Sequence, residues 1–196
     1  MTSYAEDLAA LGALSRRQLA LFATGCLVRA TPFVETYGTE LTRRRLEEAV
    51  AALWDGLGEL SPADAAHHRS AYDEAPEDTP DSEELGDPYW WVMYTLALLC
   101  DALDAARPDG DDAIPGIASS GLQLIRNVDA VLERPEHVNG QEELAEFAAR
   151  EESLRILHSD LPPAEQAARI RALSERRARE LPVPTRAEIS YTPPAG

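Results

Sequence analysis

Apolar residues recur at spacings of three and four along most of this chain, the signature of helices that each bury one face. Ser3-x-x-Glu6 has the form of a capping box opening a short first helix to about Ala13, with Leu8 and Leu11 inward. Ser15 caps a second helix whose seam reads Leu19, Phe22, Cys26, Arg29 and Phe33. Pro32 inside that seam predicts a break or kink near Thr31, then a short continuation to Tyr37 and Gly38. A third helix is expected from about Glu40 to Leu60, with Leu46, Val50, Leu53, Trp54, Leu57 and Leu60 as its apolar stripe. Ser61-Pro62 joins an N-cap to a first-turn proline and starts a fourth helix reaching about Ala75.

Residues 76–87, PEDTPDSEELGD, interrupt this pattern with six acids, two prolines and one large apolar residue, Leu85. Such a segment buries too little surface to offset the entropy of ordering it, so a mobile acidic loop is expected there. Asp87-Pro88 caps a fifth helix to about Arg107, and its first half is apolar on every side, which predicts a place at the centre of a bundle. A sixth helix is expected from about Pro115 to Glu133, after the Asp109-Gly110 turn. Asn139-Gly140 precedes a seventh, roughly Gln141 to Ser159, with Leu144, Phe147, Leu154 and Leu157 inward. Pro162-Pro163 opens an eighth to about Leu181, and four later prolines leave the rest extended. No strand pair or internal repeat is visible. The expected fold is an all-α, single-domain bundle of seven to eight helices over residues 1–181, with an acidic mid-chain loop and an extended tail at 182–196.

Composition agrees with helix. Hydrophobic residues make up 44% of the 196, enough for one substantial core, and aromatics are only 6%. All 18 basic residues are arginine. That suits bidentate ion pairs, although a coding bias toward Arg, Ala and Pro together accounts for it more simply. The start, MTSYAED, lacks the basic and apolar regions of a secretory signal, and the longest apolar run, Tyr89 to Cys100, is too short to span a bilayer. Cys26 and Cys100 each sit inside an apolar helical pattern and read as core thiols, which fits a reducing cytoplasm.

Charge changes the picture more. Residues 55–112 hold 16 acids against two arginines, a net of −14 out of the chain's −17. So concentrated a field repels nucleic acid and anionic membranes and attracts basic proteins over roughly a Debye length. Glu74, Glu77, Asp78, Asp81, Glu83, Glu84 and Asp87 are the candidate contact residues for such a partner.

The candidate chemistry is sparse. Asp64-x-x-His67 lies beside His68, but adjacent histidines on a helix point about 100° apart and do not readily share a metal ion. Glu151 and His158, read onto the inner side of the seventh helix, form either an acid–base pair or, more simply, a carboxylate and a satisfied core histidine. Neither cysteine has a neighbour that would lower its pKa, and there is no glycine-rich phosphate loop or lysine. The arginines at 43–45 and 169–179 interleave with acids as solvated helix faces. No cofactor, metal or catalytic constellation is expected. Arg29 stands apart, because a guanidinium on an apolar seam is costly without a partner. Glu146 or Glu152 is the expected partner, either in a buried ion pair that fixes helix register or in a small pocket for an anionic ligand.

Gln18, Phe22, Arg29 and Pro32, then Trp54 and Leu57, then Glu146-Phe147, Glu152 and Leu154-Arg155-Ile156-Leu157 form an ordered set. In this set the chain resembles the YjaG-like family of all-helical bacterial proteins, over about residues 5–180. It departs from the family in the fifth helix, where Tyr94 fits but an acidic position is apolar. The resemblance implies a helical fold, no assigned activity, and a gene-context association with signalling kinases. The expected function is therefore a non-catalytic acidic binding module for a basic protein, in its sharpest form a cytoplasmic immunity protein that neutralises a basic toxin domain. The alternatives are an accessory protein in bacterial signalling, and a small-molecule-binding or enzymatic bundle with its site around Arg29.

Overall fold

A computed structural model describes residues 4–73, 88–110, 113–132 and 140–189, and every regular element among them is helical. In chain order these are α1 (Tyr4–Gly12), α2 (Arg16–Tyr37), α3 (Glu40–Asp55), α4 (Pro62–Asp73), α5 (Pro88–Ala106), α6 (Ile114–Leu132), α7 (Gln141–Leu157), α8 (Pro163–Glu180) and α9 (Arg186–Ile189). They form one all-α bundle around one core. The Ser3 cap, the expected acidic loop at 76–87, the Asp87 cap, the helix ends at Ala75 and Glu133, and Asn139 all lie outside the described residues.

The centre of the bundle is α2, not α5. Fourteen of its residues are buried, from Leu19 to Val34, and α5, α8, α3, α6 and α7 all pack on it. Ala20, Ala23, Gly25 and Ala30 let those neighbours approach closely. A Cβ at Gly25 would stand 2.9 Å from Ile170 Cγ2 and 3.1 Å from Ser174 Oγ of α8. The first half of α5 keeps Trp90, Met93 and Tyr94 half-buried, while Trp91 is sealed and stacks on Phe33 at 4.9 Å between centroids. Small residues carry little weight in a hydrophobic pattern, which is why α2 read as an ordinary amphipathic helix.

Pro32 does not break α2, which is one helix from Arg16 to Tyr37. Proline cannot donate to the carbonyl four residues back, that of Val28. The hydroxyl of Thr31 donates to that carbonyl instead, at 3.0 Å, so the interruption leaves no orphan acceptor. At the other end, the α2 start is a capping box: Ser15 Oγ accepts from Gln18 N at 3.3 Å, and Gln18 Oε1 accepts from Ser15 N at 3.0 Å.

Three further expectations need correction. The third helix stops at Asp55 rather than Leu60. Leu57 and Gly58 turn to positive φ, and Gly58 N donates back to Leu53 O at 3.0 Å, a Schellman-type close. On α7 the buried face is Glu146, Ala149, Arg150, Ser153, Ile156 and Leu157, whereas Leu144 is 52% exposed and Phe147 and Leu154 are half-buried. Beyond Leu181 the chain is not simply extended. Residues 186–189 make a helical turn whose Ile189 is buried in the core, and Val183 packs on that core.

Candidate functional site

The polar face of α7 meets α2 in one continuous seam. Gln18, at the start of α2, donates through Nε2 to Leu157 O at 2.7 Å. One helical turn on, the Arg150 guanidinium lies 5.3 Å from the Phe22 ring centroid, a cation–π contact, and its Nη1 donates to Ile117 O at 3.3 Å. Further along, Arg29 meets Glu146. Nε donates to Oε2 at 2.8 Å and Nη2 to Oε1 at 2.8 Å, a bidentate fork. Arg29 is 1% exposed and Glu146 2%. Nη1 also donates to Ser174 Oγ of α8 at 3.1 Å, and Nη2 reaches Cys26 Sγ at 3.2 Å. Glu152, the other expected partner, sits outside this seam and pairs with Arg155 on the same helix.

Electrostatics fix the charge states at the centre of the seam. Burial pulls the Arg29 pKa down, but Glu146 and Cys26 more than restore it, so the guanidinium stays charged. Burial also pushes the Cys26 thiol up, and the opposing charges of Arg29 and Arg150 do not reverse this. A neutral, sealed thiol is not a nucleophile. Each nitrogen of Arg29 has a protein partner, Nε and Nη2 on Glu146 and Nη1 on Ser174, so the arrangement joins α2, α7 and α8. Ser174 and Arg150 were not anticipated as members, whereas Cys26 was read on the same seam as Arg29. Arg150 follows Glu146 by four residues, so a charged pair on one helical face was the available signal.

The start of α7 is held from outside. Its N-cap, Gly140, has no side chain to offer, and the Asp129 carboxylate of α6 takes that role. Oδ1 accepts from Glu142 N at 3.0 Å and Oδ2 from Glu143 N at 2.7 Å. A Cβ at position 140 would collide with Asp129 Oδ2. The far end of α7 is tied by Gln166 Nε2, which donates to Leu157 O at 3.2 Å and Ser159 O at 3.1 Å.

The acidic stretch is built differently. Its two arginines both turn to Asp104: Arg69 Nη1 lies 3.0 Å from Oδ1, and Arg107 Nη1 3.6 Å. Arg107 also reaches Asp109 at 3.2 Å. Asp55, Glu59, Asp64 and Asp109 are exposed. Beside Asp104 on α5, Asp101 is half-buried, and burial and then the Asp104 charge raise its pKa to about 6. The candidate contacts Glu74, Glu77, Asp78, Asp81, Glu83, Glu84 and Asp87 lie outside the described residues.

Other candidates are dispersed. Glu151 and His158 are exposed rather than inward, and His158 is the C-cap of α7. His67 and His68 lie edge to face at 5.1 Å between centroids, and no group of three or more metal-ligating residues occurs among the described residues. Cys26 is buried and Cys100 half-buried, and no disulfide joins them. No described helix is long and apolar enough to cross a membrane. No protein-family model, no curated protein and no solved structure matches this chain.

Proposed function

We propose that this protein is a non-catalytic binding module that holds a basic protein partner through the acidic stretch 55–112, as a cytoplasmic immunity protein does when it neutralises a basic toxin domain. The observation that carries this reading is the partition of charge. A net of −14 lies within 58 consecutive residues, and the two arginines among them are paired with acids of the same stretch, Asp104 and Asp109. The remaining field is free to steer an incoming cationic surface, which raises association rates more than it raises affinity. In the core, the candidate small-molecule position beside Arg29 is taken by the carboxylate of Glu146. Of the residues that carry the resemblance to the YjaG-like family, Gln18, Phe22, Arg29, Glu146 and Leu157 lie in this α2–α7 seam.

The test is a pull-down from the native host at low and high salt, followed by association kinetics with the captured protein. Neutralising Glu77, Asp78, Asp81, Glu83 and Glu84 to amides should slow association and flatten its salt dependence while circular dichroism stays unchanged. Neutralising Glu142, Glu143, Glu165, Glu175 and Glu180 is the matched control. Equal effects of the two sets would show a general field and no special surface. No effect of either would end the reading.

A further inference from the structure

Away from both regions, α3 and α8 lie on α2 without closing against each other, and a cavity of about 200 Å³ opens between them. Its floor is Val28 and Val34 of α2 with Leu46, Val50 and Trp54 of α3. Arg43, Leu46, Val50 and Trp54 follow helical spacing, so one stripe of α3 runs along the groove with Arg43 at its start. The volume is smaller than the usual range for drug-sized ligands, roughly 300–1,000 Å³, which restricts the occupant to a small molecule.

Three polar features define its chemistry. Arg43 Nε is buried and has no hydrogen-bond partner among the described residues, and Arg43 Nη1 has only a long contact with Glu40, at 3.9 Å. A buried N–H without an acceptor is rare in folded proteins and marks a place for one. Glu35 and Glu47 line the same cavity, are exposed, and have no ion-pair partner among the described residues. Arg171 and Glu175 form the α8 edge and neutralise each other, with Nε 2.8 Å from Oε1.

We propose that this groove binds a free apolar α-amino acid, its side chain on the Val–Leu–Trp floor, its carboxylate on Arg43 and its ammonium toward Glu35 and Glu47. A plain carboxylate would meet two uncompensated acids, and a plain amine would leave the Arg43 N–H without an acceptor. A zwitterion with an apolar side chain satisfies both. This site is independent of the acidic stretch, so either assignment can fail without the other.

Isothermal titration calorimetry of the full chain with L-leucine and L-phenylalanine tests it, with 3-phenylpropionate and phenethylamine as ligands lacking one charge each. L-Phenylalanine should bind at least about tenfold more tightly than either analogue, the scale of one lost charge-assisted hydrogen bond. Arg43→Met keeps the apolar stem of a side chain that is 41% exposed, so the fold should hold. It should weaken L-phenylalanine about tenfold and leave phenethylamine within about twofold. The double variant Glu35→Gln/Glu47→Gln should weaken the amino acid and leave 3-phenylpropionate unchanged or tighter. Absence of binding by both amino acids, an analogue that binds as tightly as L-phenylalanine, or an unchanged affinity in Arg43→Met would each overturn the proposal.

Discussion

Two arginine–carboxylate contacts in this molecule share their chemistry and differ in their solvent. Arg29–Glu146 is sealed between three helices, with side chains 2% and 3% exposed. Arg69–Asp104 joins α4 to α5 near the surface, with 41% and 12%. The distances are close, 2.8 Å and 3.0 Å, so geometry does not separate them. Burial does. In the first pair, removing one partner strands a charge that water cannot reach, whereas in the second, Arg69 is open to water and the largely buried Asp104 still faces Arg107. The core pair therefore specifies how helices meet, and the surface pair leaves the stretch around it electrostatically adjustable.

The sharpest way to break the contrast is at Glu146. Glu146→Ala should cost about 3–5 kcal/mol in urea unfolding, because Arg29 is left buried and unpaired. The double variant Arg29→Met/Glu146→Leu should recover most of that loss. If the double is as unstable as the single, packing rather than charge holds the seam. Next in size, Gly25→Ala should cost about 1–3 kcal/mol by forcing α8 away from α2, read as a lower urea midpoint with an unchanged slope. Asp129→Ala should cost about 1 kcal/mol and should raise amide exchange in the first turn of α7 before any other helix.

At the surface the effects shrink. Arg69→Ala should cost less than about 1 kcal/mol and should cost less still at high salt. The same region carries a pH signature. The pKa of Asp101 is raised to about 6 from an ordinary 3.8 by burial and by Asp104, with Arg69 opposing. Between those values the native state holds the proton more tightly than the unfolded chain does. Stability from this group is full below the lower value and is lost as pH rises through the upper one. Asp101→Asn should remove that decline, seen as the difference between the two proteins' stability curves from about pH 4 to 6. Arg69→Ala should move the decline to higher pH, since it removes the lowering charge.

Helix starts and stops were legible where the local chain encodes them. Ser15, Ser61 with Pro62, and Pro163 all mark beginnings that the structure contains. Arg29 was legible too, because a charge on an apolar seam needs a partner, and Glu146 was one of the two carboxylates expected to supply it. What escaped depends on the rest of the molecule. Thr31 rescues Pro32 through a hydroxyl that has other uses in other helices. The inward face of α7 is polar because α2 presents Arg29 and Phe22 to it, so hydrophobic periodicity pointed to Leu144 instead. The groove beside α3 follows from how far apart α3 and α8 settle, which no single segment records.

The Asp129 cap makes the beginning of α7 a tertiary event. A helix that carries its own cap can form before it docks; α7 gains its cap only when α6 is beside it. These two helices then belong to one cooperative unit, in which the order of docking decides when the first turn of α7 is satisfied.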